Sequence, residues 1–186
     1  GIVHSEMPEQ QEGRMRGFQL WINLPARDKM TAPKYQEFGP ETIPFTDLGG
    51  GARVKVIAGQ AAGVTGPIAQ PATDPTYLDV ELEAGAKFSQ SLASGHSAFL
   101  YVYEGSVRVG AGESAATVGT HELAVLTDGD AVQLEGRDPP RDGRVSRAIL
   151  VAGRPLKEPV AKHGPFVMST REELTQAFED YQAGRF

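Results

Sequence analysis

Apolar and polar residues alternate through several short stretches of the chain, with the period of two that is typical of half-buried β-strands. The clearest stretch is 17–24, in which Phe18, Leu20, Ile22 and Leu24 share one face. Such runs, separated by turn residues, favour an antiparallel all-β arrangement. The stretch 76–82 alternates in the same way, and further strands are predicted at 52–58, 87–92, 122–126, 131–135 and, as a buried strand, 146–152.

The turn residues and the C-terminal tail make the predicted architecture more specific. Residues 98–109 predict a hairpin that turns at Glu104 and Gly105, and the 22 Gly and 13 Pro of the chain follow no period that would indicate a fibrous protein. The tail has a different period, because Thr170 and Glu173 have the spacing of a capping box and helical spacing of apolar residues follows, with a stop at Gly184. The pattern therefore predicts a small β-sandwich or barrel followed by one C-terminal α-helix.

Composition narrows the possible functions. The chain has 186 residues and 40% hydrophobic content, enough for a packed core, and its net charge of -6 argues against nucleic-acid binding. It contains no cysteine, which excludes disulfides and thiolate sites. No apolar run approaches the roughly 18 residues of a membrane helix, and no signal-peptide pattern is present. These features predict a cytoplasmic protein without membrane or nucleic-acid partners.

His4 and Glu6 are the strongest candidates for chemistry. In an extended strand, residues two apart point to the same face, so the two side chains are expected to project together. An imidazole nitrogen and a carboxylate oxygen suit iron, manganese or zinc. Spacing alone favours a structural pair over a ligand pair, and two ligands do not complete a metal site.

The other histidines and the aromatic residues near the start of the chain have simpler interpretations. His96, His121 and His163 lie next to turn residues, which favours solvated loop side chains over metal ligands. Phe18 and Trp21 are candidates for lining a barrel pocket, but core packing is the favoured interpretation.

Longer motifs resemble the pirin family, whose members contain two cupin barrels. The resemblance extends from one end of the chain to the other. The matching motifs are GIVHSEMPE at 1–9, then 17–25 with 29–31 and 33–36, 63–68, 73–80, 153–159, 164–168, 170–173 and 184–186.

The resemblance implies a metal site in the N-terminal barrel. Family members hold one iron, Fe(II), with three histidines and one glutamate, and His4 and Glu6 match two of these ligands. The other two ligands form an earlier His-x-His pair. That pair has no counterpart here, because His4, His96, His121 and His163 include no such spacing.

The resemblance also divides the chain. It predicts the remainder of an N-terminal cupin with a linker at 1–45, and a complete C-terminal cupin with the terminal helix at 46–186. An upstream pirin segment, absent from this chain and expected to be cleaved off or supplied as a second chain, would complete the metal site. In the second barrel, Ser89, Gln90 and Ser91 stand where a metal-binding cupin has His-x-His, and they are poor metal ligands.

Three functional hypotheses remain open on the sequence alone. The first is a metal-dependent quercetin 2,3-dioxygenase acting on flavonols or related aromatic molecules, with Glu6 serving both as metal ligand and as catalytic base. The second is a non-enzymatic, redox-sensing regulatory protein that docks onto a partner. The third is that the chain by itself is an inactive fragment.

Overall fold

The computed structural model describes residues 1–5, 12–13, 15–140 and 143–185. It contains fourteen described strands, one α-helix and three short 3-10 turns at Ala26–Asp28, Pro40–Thr42 and Gly112–Ser114. The helix α1 is Arg171–Gln182. The strands are β1 (Phe45–Asp47), β2 (Ala52–Ala58), β3 (Gln60–Ala61), β4 (Val64–Thr65), β5 (Thr76–Glu83), β6 (Lys87–Ser91), β7 (Ser97–Glu104), β8 (Ser106–Val109), β9 (Ala116–Gly119), β10 (Leu123–Val125), β11 (Ala131–Gly136), β12 (Val145–Gly153), β13 (Ala161–His163) and β14 (Phe166–Met168).

Two antiparallel sheets enclose the hydrophobic core. One sheet has six strands in the order β1-β2-β5-β12-β7-β10, and the other has four in the order β6-β11-β8-β9. The alternation predicted from the sequence places the side chains of Val54, Leu78, Leu100, Leu134 and Leu150 in one buried cluster between the sheets. The predicted all-β barrel with a C-terminal helix is therefore confirmed.

The predicted hairpin at 98–109 is wrong in its pairing, because β7 and β8 belong to different sheets. Gly105 joins them with φ +71°, and a Cβ at this position would lie 2.5 Å from Ser146 Oγ and 2.8 Å from the Asp138 carbonyl oxygen. The Ser106 backbone N–H donates to Ser146 Oγ at 3.2 Å. The turn is a corner between sheets, and its backbone conformation and close packing favour glycine.

The strand predicted at 17–24 is absent. Residues 15–25 belong to no strand or helix, and no other described residue forms a strand ladder with 19–24. Alternation shows that a segment is able to bury one face, but a strand also requires a neighbour for its backbone hydrogen bonds. The segment therefore has the sequence of a strand without a strand partner among the described residues.

Contacts divide the chain into two compact units. The barrel unit is Glu37–Pro155 and contains both large sheets, whereas the terminal unit combines Gly1–Gln36 with Leu156–Phe186. The terminal unit therefore contains the β13–β14 hairpin and α1. The predicted domain boundary between residues 45 and 46 stays a prediction.

Helix α1 begins with the predicted capping box. The Thr170 hydroxyl accepts from the Glu173 backbone N–H at 3.1 Å, and Glu173 Oε2 accepts from the backbone N–H groups of Thr170 at 3.0 Å and Ser169 at 2.9 Å. These bonds satisfy donors that the first helical turn leaves unpaired. Gly184 follows the helix with φ +68°, as expected for a helix stop.

Candidate functional site

A groove of about 980 Å³ lies within the terminal unit. Its walls come from the first four residues, from the segment 21–30, and from the β13–β14 hairpin with α1. A mostly apolar lining with a few polar groups is typical of small-molecule sites of this size. The apolar and aromatic lining residues include Ile2, Val3, Trp21, Met30, Phe166 and Tyr181.

Aromatic contacts fix α1 against the hairpin. The Phe166 ring on β14 meets the Phe178 ring edge-on at a centroid distance of 4.7 Å and the Tyr181 ring at 6.0 Å. Phe178 and Tyr181 are three residues apart and therefore share one helix face. His163 adds an edge contact with Phe178 at 5.3 Å. This cluster gives the groove one firm aromatic wall.

Lys29 joins the N-terminal segment 21–30 to strand β14 within the terminal unit. Its Nζ donates to Asn23 Oδ1 at 2.7 Å and to the Val167 carbonyl oxygen at 3.0 Å. Nearby, the Ala26 backbone N–H donates to Glu158 Oε2 at 2.7 Å. These bonds hold the segment 21–30 against the C-terminal part of the unit, and so they shape the groove.

Asp180 and Arg185 neutralise each other at the groove wall. The Arg185 guanidinium donates to Asp180 Oδ1 at 2.7 and 3.1 Å, and Gln176 Nε2 donates to the same oxygen at 3.0 Å. The hydrogen bonds from Arg185 and then Gln176 hold the pKa of the Asp180 carboxyl below its usual value. Neither charge is therefore available to a ligand without breaking this pair.

Lys162 differs from the other charged residues of the groove. Lys29 is bound as described above, and Glu173 is occupied by the capping box. Lys162 lies on β13 and is exposed, and its side chain makes no hydrogen bond or ion pair to any other residue that the structure describes. It is the one charged side chain among the described lining residues that has no protein partner.

His4 lines the groove and is exposed. Glu6 lies outside the described residues, so the predicted His4–Glu6 pair stays a prediction. Among the described residues, no group of three or more His, Cys, Asp or Glu side chains is placed to hold a metal ion. These residues therefore do not form a metal centre by themselves, although the His4 imidazole is a suitable donor for one metal ligand position.

Gln90 occupies the barrel interior at the place considered for a second metal site. Its side chain is buried, whereas Ser89 and Ser91 on either side are exposed. Gln90 Nε2 donates to the Gln60 carbonyl oxygen at 3.0 Å and to the Ser91 carbonyl oxygen at 2.8 Å. One bond thus joins β6 to the neighbouring β3 and the other lies within β6, so the buried side-chain amide has a structural role.

Two predictions about side-chain environments are wrong. Trp21 and Phe18 were expected in a core, but they are 63% and 40% exposed, and Trp21 lines the groove. His96 was expected to be solvated, but its side chain is only 7% exposed and its Nε2 lies 3.8 Å from Asp74 Oδ2. Neither environment follows from local sequence, because both depend on residues distant along the chain.

The groove itself was missed by the sequence interpretation. The helical spacing of Phe178 and Tyr181 indicates which face of α1 is covered, and it is the one signal that pointed towards the aromatic wall. No local signal marks Lys162 or Lys29, because a single lysine has no distinctive neighbours in sequence.

Comparisons with known proteins agree with the resemblance. Residues 77–186 match the model of the Pirin C-terminal cupin domain. A Pirin-like protein of Caulobacter vibrioides is 53% identical over 187 residues, covering 100% of this chain and 64% of that protein. Pirin of Mus musculus is 44% identical over 182 residues, covering 98% of this chain and 60% of that protein.

A solved structure extends the match to three dimensions. Quercetin 2,3-dioxygenase from Acinetobacter baumannii has a TM-score of 0.78 and 31% identity, covering 89% of this chain and 55% of that chain. The fold is thus that of a cupin protein. The chain belongs to the pirin family, and the sequence resemblance is confirmed.

The chain spans less than two thirds of the length of the pirin-family relatives named above. Among the residues that the structure describes, no helix has both the length and the apolar character needed to cross a membrane.

Proposed function

We propose that this chain is part of a pirin-type, iron-dependent oxygenase that acts on flavonols, with the activity of a quercetin 2,3-dioxygenase. The observation that carries the proposal is that His4 lines an apolar groove that Trp21 also lines. The structural similarity to a quercetin 2,3-dioxygenase supports it, with a TM-score of 0.78. An apolar groove of this kind suits a flat aromatic substrate.

His4 and Glu6 are the proposed metal ligands of this chain. The remaining two histidine ligands would come from polypeptide outside these 186 residues. Fe(II), when bound, supplies a Lewis-acid and redox centre for the reaction with oxygen. The chain's own residues bind and orient the substrate, the apolar groove walls exclude water, and the Glu6 carboxylate accepts the proton of a substrate hydroxyl group.

Exposed apolar residues support the idea that further polypeptide covers this region. Large exposed apolar patches on proteins commonly mark interaction surfaces. Segment 1–36 exposes Met15, Phe18 and Tyr35, which do not line the groove.

The test compares iron content and oxygen uptake of this chain, alone and mixed with the part of the Caulobacter vibrioides relative that the match leaves uncovered. We expect iron binding and quercetin-dependent oxygen uptake in the mixture, and loss of both in His4→Gln and Glu6→Gln. The matched controls His121→Gln, in the barrel unit, and Glu172→Gln, in the terminal unit, replace exposed residues that do not line the groove and are expected to retain both.

Different outcomes overturn different parts of the proposal. An iron-loaded mixture that consumes no more oxygen with quercetin than buffer does would remove the oxygenase assignment. If His4→Gln binds iron as tightly as the unsubstituted chain, the ligand assignment is wrong. Activity confined to the mixture would mean that this chain alone is inactive, as the third hypothesis predicts.

The second candidate function is non-enzymatic, iron-dependent docking onto a partner protein. The exposed apolar residues of segment 1–36 favour it, because they offer a surface that a partner is able to bury. A change in iron oxidation state alters the local charge and would bias docking. Pull-down of partners by the ferrous and ferric mixtures tests this, and equal capture by both forms would remove the redox-sensing role.

A further inference from the structure

We infer that Lys162 makes the groove selective for planar aromatic anions. The inference rests on the proposed function, because it names the class of substrate that the same site takes. It concerns binding alone, and so it is testable without iron or oxygen.

The walls of the groove select for flat apolar molecules. Trp21 and Tyr181 line it and are 63% and 53% exposed, so their rings are accessible to a ligand. Phe166 supports the Tyr181 ring by the edge contact described above. Aromatic rings held in this way offer stacking and edge contacts to another planar ring.

The charges of the groove select for an anion. Lys29 is held by Asn23 and Val167, and Arg185 is neutralised by Asp180. Glu173, the remaining acidic side chain on the wall, is occupied by N–H groups of the helix start. The described lining side chains thus include three positive ones, Lys29, Lys162 and Arg185, and two negative ones, Glu173 and Asp180. The sum is one positive charge, and Lys162 is the cation whose ammonium has no partner among the described residues.

The position of Lys162 supports this role. Lys162 pairs with Val167 across the β13–β14 hairpin, and both residues line the groove. A lysine ammonium is a flexible point charge with three donors, so it is able to follow a phenolate or carboxylate at the edge of a bound ring. An ion pair beside apolar walls is screened less than one in open solvent.

Trp21 provides the measurement, because it is the single tryptophan of the chain and it lines the groove. Quenching of its fluorescence therefore reports ligand binding there. The probes are a flavone carboxylate, ionised at about pH 7, and the corresponding neutral carboxamide. Each is titrated into the unsubstituted chain, Lys162→Gln, Lys162→Arg and Lys34→Gln. Lys34 belongs to the terminal unit but does not line the groove, so its substitution is a matched charge control.

We expect the unsubstituted chain to bind the carboxylate about fivefold more tightly than the carboxamide, which is the range for a partly exposed ion pair. Lys162→Gln is expected to lose this preference while binding the carboxamide unchanged. Lys162→Arg and Lys34→Gln are expected to keep it. Added salt should weaken carboxylate binding to every protein except Lys162→Gln.

A preference for the carboxylate that survives in Lys162→Gln would overturn the inference, as would the absence of Trp21 quenching by either probe. Equal melting temperatures of the four proteins would exclude unfolding as the cause of any loss of binding.

The outcome of this binding experiment is separate from that of the test of the proposed function. Selective binding without oxygen uptake by the iron-loaded mixture removes the oxygenase assignment alone, whereas oxygen uptake without charge selectivity removes the role of Lys162 alone.

Discussion

The barrel unit and the terminal unit differ in how far their large apolar side chains are buried. In the barrel unit, Val54, Leu100 and Leu150 are fully buried between the two sheets. In the terminal unit, Trp21 and Met30 expose 63% and 76% of their surfaces, although Trp21 belongs to a segment with a clear strand pattern. The barrel unit buries most of its apolar pattern between its own strands, with exceptions such as Leu123 and Val125. The terminal unit leaves much of the pattern of segment 17–24 exposed.

This difference indicates where stability and function reside. Burial of apolar surface is the dominant favourable contribution to folding, so the barrel unit is expected to supply most of the stability. Exposed apolar residues and a groove instead make the terminal unit the candidate for binding ligands or further polypeptide, as proposed above. The candidate ligand His4 lies in this second part.

The largest expected effect is a core deletion in the barrel unit. Leu100→Ala should lower the free energy of unfolding by about 3–5 kcal/mol, because it removes buried contacts and leaves a cavity. Ile22→Ala in the terminal unit should cost less than about 1 kcal/mol, because Ile22 is 44% exposed. Urea unfolding followed by far-ultraviolet circular dichroism measures both, and similar losses would contradict the contrast between the units.

The next effect is the loss of stability caused by a substitution at Gly105, where the chain passes from one sheet to the other. Gly105→Ala should cost about 2 kcal/mol or more, because alanine disfavours φ +71° and its Cβ would clash with Ser146 and Asp138. Gly85→Ala is the control, since Gly85 has φ +79° but open space around it, and about 1 kcal/mol is expected there. Equal losses in urea unfolding would show that packing at the corner contributes nothing beyond backbone strain.

In the terminal unit, loss of the capping box should lower the stability of α1 without changing that of the barrel strands. Thr170→Ala removes the side-chain bond to the Glu173 N–H and should destabilise α1 by about 1 kcal/mol. Amide hydrogen exchange should accelerate within α1 and remain unchanged in the barrel strands. Thr175→Ala, at an exposed mid-helix position, should not accelerate exchange. Faster exchange in β5 or β12 of the Thr170→Ala protein would mean that the units unfold together.

The smallest expected effect is the change with pH in the free energy of unfolding that Asp79 causes. Asp79 is a half-buried carboxyl group of the barrel unit. Burial raises the pKa of Asp79 above its ordinary 3.8, while the hydrogen bond from Tyr103 and the charge of Lys55 partly offset this. A raised native pKa means that this group contributes stability below about pH 4, which is lost as pH rises through the native pKa. Asp79→Asn should therefore gain stability relative to the unsubstituted chain between about pH 3 and pH 7.

Urea unfolding across this pH range provides the measurement, with Asp128→Asn at an exposed turn as the control. A stability difference between Asp79→Asn and the unsubstituted chain that falls as pH rises would show that attraction to Lys55 and Tyr103 outweighs burial.

Local chemistry made some elements predictable. The spacing of Thr170 and Glu173 predicts the start of α1, because a capping box uses only neighbouring residues. Alternation predicts β2 and β5, because their inward residues are apolar at every second position, and the continuous apolar run of β12 predicts a buried strand. It does not predict that β7 and β8 lie in different sheets, because a period of two carries no information about pairing partners. For the candidate site, sequence spacing and resemblance suggest His4 and Glu6 as metal ligands, which stays a prediction, but they do not indicate the groove.

The order of residues alone was sufficient for the family, the barrel class and the terminal helix, because motifs and periodicity are properties of neighbouring positions. Only the tertiary structure brought residues 1–36 together with the C-terminal hairpin and helix in one unit. It likewise decided that Lys29 is bound by Asn23 and Val167 while Lys162 has no such partner among the described residues. The physical reason is that hydrogen bonds and burial depend on distances in space, and residues more than a hundred positions apart meet only after the chain has folded.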